Sequence, residues 1–133
     1  MIDLDKGSVV FKHKPEDFIV EEVWENYNCK ISDSLTVLEN NSVDFGKLDC
    51  NDRRNFLTCD LEKVNIDHFT AFSILSKELH NFQYELGYAG AKDKIAWTCQ
   101  RISIFNAKIE RIRKFSFPGI VLKNFRWAKH KIK

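Results

Sequence analysis

The stretch Leu57-Thr58-Cys59-Asp60-Leu61-Glu62, with Asp67-His68-Phe69-Thr70-Ala71-Phe72 shortly after it, decides the fold. Leu57, Cys59 and Leu61 alternate with Thr58, Asp60 and Glu62, the period-two pattern of a half-buried strand. Asp67 then offers a helix N-cap, and Ala71, Phe72, Leu75, Leu79 and Phe82 recur at three- and four-residue spacing. Residues 67–82 therefore read as an amphipathic helix whose aromatics belong to the core.

Outward from this strand and helix, the carboxyl-terminal side continues with short β-prone runs. Tyr84 to Ala89 is a strand candidate ending at Gly90, and Trp97 to Phe105 is another, with Ile102 and Ile104 on one face. Lys108 to Phe115 reads as a short helix, Pro118-Gly119 turns the chain, and Ile120 to Trp127 is a final strand. On the amino-terminal side, Ser8 to His13 and Asp17 to Val23 are β-prone and separated by Lys14-Pro15, where the proline biases Lys14 towards an extended conformation. Together these runs suggest strand, turn, strand. Ser34 to Glu39 is a further strand candidate, and the polar, Asn/Asp-rich run Asn40 to Asn55 with Gly46 reads as a surface loop or hairpin. Paired strands with few helices predict an α+β domain, a mainly antiparallel mixed sheet with one long helix and short helices packed on it.

With 44% hydrophobic and 13% aromatic residues, 133 residues supply one compact core and suit one domain. The apolar runs are short and interrupted by charge, and the amino terminus lacks a signal-like apolar stretch; we expect a soluble, cytoplasmic protein with no membrane association. Cys29, Cys50, Cys59 and Cys99 lack the close paired spacings of zinc or redox motifs and read as reduced thiols. The histidines are scattered, so no metal is implied. Charge is distributed unevenly: Lys108 to Lys133 carries nine Lys or Arg against the single acid Glu110, a net +8 that leaves −6 for the preceding residues. A basic segment interleaved with Phe115, Phe117, Phe125 and Trp127 suits a phosphate-facing surface, and equally a solvated basic edge.

Two segments carry chemistry. One is Lys12-His13-Lys14-Pro15-Glu16-Asp17-Phe18-Ile19-Val20-Glu21-Glu22; the other is Gly87-Tyr88-Ala89-Gly90-Ala91-Lys92-Asp93-Lys94-Ile95-Ala96-Trp97-Thr98-Cys99-Gln100. In the second, Lys92 and Lys94 flank one carboxylate on a glycine-containing turn, which keeps Asp93 ionised and hence usable as a nucleophile. The same tripeptide also occurs on ordinary exposed turns.

The first segment resembles the signature of the TruD family of tRNA pseudouridine synthases, a lysine followed by Pro-Glu-Asp-Phe and an extended Val/Glu stretch. The second resembles that family's Ala-Gly-x-Lys-Asp-Lys motif, with Ala, Thr and Gln following at matching spacing. The resemblance runs from about Lys12 onwards, so the fold it implies is the amino-terminal portion of a pseudouridine synthase catalytic fold. It further implies cofactor-free isomerisation of uridine to pseudouridine in tRNA, at position thirteen of the D arm. Asp93 matches the nucleophilic aspartate and Lys12 the family's lysine near it, an electrostatic partner favouring the charged carboxylate. Phe18 matches an aromatic at the substrate pocket, with plain core packing as the other reading. Lys92 and Lys94 would meet phosphates or simply carry solvated charge; Glu16 and Asp17 would hold the fold of the motif.

The family pattern continues beyond Lys133 with a Leu-Gly stretch, a Gly-Asn motif followed by an aromatic, and an inserted second domain. Residues 1–133 are accordingly expected to form a single partial catalytic domain whose activity requires a complementary polypeptide with the carboxyl-terminal half. The partner expected in either case is tRNA. The alternative is a non-catalytic RNA-binding module, or a remnant of such an enzyme.

Overall fold

A computed structural model describes residues 2–5, 8–11, 19–24, 26–33, 43–51, 54–90 and 96–133. Its elements are β1 (Ile2–Asp5), β2 (Ser8–Phe11), β3 (Ile19–Glu21), β4 (Val23–Trp24), β5 (Tyr27–Asn28), β6 (Phe56–Val64), α1 (His68–Leu79), β7 (Leu86–Tyr88), β8 (Trp97–Phe105), α2 (Ile109–Arg113) and β9 (Ile120–Ala128). A 3-10 turn, Gln83–Glu85, precedes β7. β8, β6 and β9 form the centre of the main sheet, with β6 antiparallel to both neighbours. Along the outer edge of β8, β3 pairs in parallel at one end and β7 antiparallel at the other. The fold is thus the α+β, mostly antiparallel arrangement that the periodicity predicts.

Period-two alternation gives the sheet two unlike faces. On one, Leu57, Cys59 and Leu61 of β6, Ile102 and Ile104 of β8, and Ile120 and Leu122 of β9 form one core with Ala71, Phe72, Leu75 and Leu79 of α1. Asp67 caps α1, its Oδ2 accepting from the Thr70 backbone N–H at 3.4 Å. The helix ends at His80, which takes the left-handed conformation at φ 54°. Phe82 consequently lies beyond the helix and is 65% exposed, which corrects its assignment to the core. The helix stops early because Asn81 turns its side chain to the Phe105 carbonyl, at 2.9 Å, and so joins the turn to the end of β8.

The opposite face also differs from expectation. Thr58, Asp60 and Glu62 of β6 read as the solvated side of a half-buried strand, yet all three are buried. Charged partners from β8 and β9, and the segment Tyr27–Ser32 laid over them, account for this. At the amino terminus, β2 pairs with β1 as a separate ribbon, and β3 pairs with β8 instead of folding back on its sequence neighbour. The strand candidate Ser34 to Glu39 falls outside the described residues, as do Lys12, Phe18, Lys92, Asp93 and Lys94.

Candidate functional site

The described residues fix what flanks each motif segment. Ile19, the residue after Phe18, is the register partner of Trp97, which follows the Lys92-Asp93-Lys94 segment after Ile95 and Ala96; Val20↔Thr98 and Glu21↔Cys99 continue the parallel pairing. Both motif segments therefore run into neighbouring strands at the same end of the sheet. The base of the second segment is held on both sides: Gln100 Nε2 donates to the Gly90 carbonyl at 2.9 Å, and the Ala96 carbonyl accepts from Asn65 N–H at 3.0 Å. The Gln that follows the Lys-Asp-Lys tripeptide thus ties Gly90 to β8. In the gap between β3 and β7, Glu22 Oε1 accepts from the Arg101 backbone N–H at 2.9 Å.

Trp97 turns its indole to the polar face, where Nε1 donates to Glu62 Oε2 at 2.7 Å. The same carboxylate accepts from Ser32 N–H and Oγ, each at 2.6 Å, and from Lys123 Nζ at 2.9 Å. Burial alone would raise the Glu62 pKa, but the hydrogen bonds from Lys123, Ser32 and Trp97 outweigh it and hold the carboxyl below the usual glutamate range. Next along the face, Asp60 pairs with Arg101 Nη1 at 2.9 Å and accepts from Tyr27 Oη and Asn124 Nδ2, both at 2.8 Å. Arg101 also donates to Thr58 Oγ1 and to the Asn124 carbonyl, and its guanidinium lies 5.0 Å from the Tyr27 ring centroid. Burial first, then the Asp60 carboxylate, pushes the Tyr27 phenol up to about 12, so it remains a donor throughout the neutral range. Asn124 makes these contacts from the bulge in β9, at φ 57°, a conformation asparagine tolerates.

Beyond Arg101, at the end of the face away from the motif segments, lies an open cleft of about 690 Å³. Tyr27, Arg101, Arg126, Lys129 and His130 are among its lining residues, and none of the described residues that line it is a carboxylate. Arg126 and Lys129 are exposed, with no ion-pair partner among the described residues. The aromatics of the basic carboxyl-terminal segment instead face the core: Phe115 is buried, and Phe117, Phe125 and Trp127 pack against it. On β9, Lys123 and Arg126 lie in register with Asp60 and Thr58 of the polar face, while Arg111 and Arg113 of α2 stay on the core side, beside Glu78 and Phe45. The sequence reading also missed Asp60, Glu62 and Arg101. Their alternation in β6 and β8 was visible, but their partners lie 23 to 79 residues away in the chain.

Sheet and cleft together define an α+β domain with a cation-lined polar face. Comparison with known proteins makes this specific. The family profile of tRNA pseudouridine synthase D (TruD) matches residues 2–133. A Methanocaldococcus jannaschii protein named as a probable tRNA pseudouridine synthase D 1 is 32% identical over 133 residues, covering all of this chain and 32% of that protein. A Methanococcus vannielii protein named as a probable tRNA pseudouridine synthase D is 33% identical over 124 residues, covering 92% of this chain and 29% of the relative. A crystal structure from Methanosarcina mazei that bears the TruD name superposes with a TM-score of 0.54 and 28% identity, over 68% of this chain and 20% of that one. The chain belongs to the TruD family, and it spans about a third of the length of these curated relatives.

Proposed function

We propose that this chain supplies the nucleophile-bearing part of an enzyme that isomerises uridine to pseudouridine in tRNA, with position thirteen of the D arm as the site. One observation carries the reading: the parallel register Ile19↔Trp97 leads the Lys12 segment and the Asp93 segment into adjacent strands at one end of the sheet. Asp93 is the nucleophile in this scheme. Its carboxylate promotes cleavage of the glycosidic bond, the freed uracil turns within the pocket, and it is rejoined to the ribose through carbon. Lys12 favours the charged carboxylate, Phe18 packs on the base, and Lys92 and Lys94 meet phosphates. The target base must leave its stack, so part of the RNA-binding energy offsets unstacking. The cleft lined by Arg101, Arg126 and Lys129 supports this, since its cations provide sequence-independent backbone attraction along the same face.

A complementary polypeptide with the carboxyl-terminal part of the family fold completes the pocket. The test is tritium release from carbon 5 of labelled uracil in tRNA, using the chain together with the carboxyl-terminal part of a relative. Release is expected with both parts present and is lost in the Asp93→Asn variant. No release from the combination, or release undiminished by Asp93→Asn, overturns the assignment.

A further inference from the structure

Phe82 and Tyr84 are two of the most exposed large side chains among the described residues, at 65% and 72%, and they stack on each other. Their ring centroids are 5.4 Å apart with planes only 8° from parallel. An exposed aromatic pair forfeits the burial that normally stabilises such side chains, so its presentation calls for an occupant.

The backbone beneath the pair is fixed from three directions. Phe82 N–H donates to Glu85 Oε1 at 2.9 Å, Asn81 Nδ2 donates to the same oxygen at 3.0 Å, and Lys131 Nζ donates to the Tyr84 carbonyl at 3.0 Å. Glu85 is itself buried, so the acid of the turn lies beneath the rings and not on the surface. Lys131 brings a cation to the edge of the stack. Its chain neighbour Ile132 lines the Arg126–Lys129 cleft and donates its N–H to Ser103 Oγ at 3.1 Å. Segment 129–133 thus has the cleft on one side and the stack on the other. Its close seating depends on Gly87, where an added Cβ would come within 2.5 Å of the Ile132 carbonyl oxygen and 2.7 Å of Lys131 Cγ.

We propose that the Phe82–Tyr84 stack is a platform for an unpaired nucleobase of the RNA whose phosphates occupy the Arg126–Lys129 cleft. This rests on the reading of the chain as part of an RNA-acting enzyme, and it adds a contact site at the end of the sheet away from the Asp93 segment. A pair of near-parallel rings presents a free π-face on which any base stacks, and the adjoining ammonium groups supply the backbone attraction. A protein interface would bury such rings at a centre depleted in lysine, whereas here Lys131 stands directly at the stack.

The test compares the chain's affinity for a short single-stranded oligouridylate with that for an abasic ribose-phosphate oligomer of equal length and charge. Wild-type chain is expected to prefer the base-bearing strand by roughly ten-fold or more, in line with base–aromatic stacking. Phe82→Leu and Tyr84→Leu, which keep apolar bulk, should abolish that preference while leaving abasic binding and its salt dependence intact. Preference unchanged in both variants overturns the platform and leaves the RNA reading standing. Absence of salt-sensitive binding to either oligomer overturns the RNA reading and the platform with it. Loss of self-association in the variants, with the preference unchanged, assigns the rings to a contact between protein chains and likewise overturns the platform.

Discussion

The two faces of the β8-β6-β9 sheet are built from the same alternating strands yet hold together by different physics. Under α1, Leu57, Leu61, Ile102, Ile104 and Leu75 are fully buried and exclude water by packing. On the other side, Asp60 and Glu62 are equally buried but are held by ion pairs and hydrogen bonds to Arg101, Lys123, Tyr27, Ser32 and Trp97. An apolar face tolerates apolar residues of similar volume. A buried ionic face depends on each partner, and here it orients Trp97 and the cover segment beside the motif end of the sheet. The difference teaches that one face is specified by apolar shape and volume and the other by matched charged partners.

The largest expected effect separates the faces directly. Arg101→Ala strands the Asp60 carboxylate in the interior and should destabilise the chain by about 3–5 kcal/mol, the cost of an uncompensated buried charge. Replacing Arg101 and Asp60 together by apolar residues of similar volume should restore most of that loss. Leu75→Ala on the apolar side should cost about 2–5 kcal/mol through the cavity it leaves, with no such rescue by a partner change. Urea unfolding of the four proteins checks all three expectations.

Of intermediate size is Gly87→Ala. Its Cβ would meet Ser103 Oγ and the Ile132 carbonyl, so β7 and segment 129–133 must separate, at a cost of about 1–3 kcal/mol typical of overpacking. Hydrogen exchange at the Ile132 amide, protected by Ser103 in the native fold, should then accelerate more than exchange in α1.

The smallest effect is a pH dependence to which the ionic face contributes. Glu62 has a folded pKa below its ordinary 4.5, so its contribution is fully present above that value and is lost as pH falls through the lower, folded value. Asp67 at the α1 cap and Glu85 in the turn before β7 are held low as well and act in the same direction. The urea midpoint should fall as pH drops below 4.5, and Glu62→Gln should make that fall shallower while Leu75→Ala leaves its slope unchanged.

Much of the fold was legible because its signals are local. The alternation of Leu57, Cys59 and Leu61 places β6 within two residues of its bounds, and the Asp67 cap gives the start of α1, which ends at Leu79, three residues short of the expected 82. Phe82 continued the helical spacing, but Asn81 captures the Phe105 carbonyl, a long-range bond with no local mark. The pairing of β3 with β8 was equally hidden, since parallel strands far apart in sequence leave no turn between them to read. The burial of Asp60 and Glu62 was missed because a charged alternate row looks the same whether water or Arg101 and Lys123 neutralise it. The proposed roles of Asp93 and Lys12 come only from the family motifs, as such chemistry has no periodicity.

The claim on which the account turns is that the two motif segments meet at the sheet end marked by Ile19 and Trp97. Zero-length carbodiimide coupling of the folded chain, followed by peptide mapping, tests it without requiring activity. The account predicts an amide joining the Lys12 amine to the Asp93 carboxylate, lost on prior unfolding. Coupling of Asp93 only to Lys92 or Lys94, with Lys12 joined elsewhere or not at all, would contradict it.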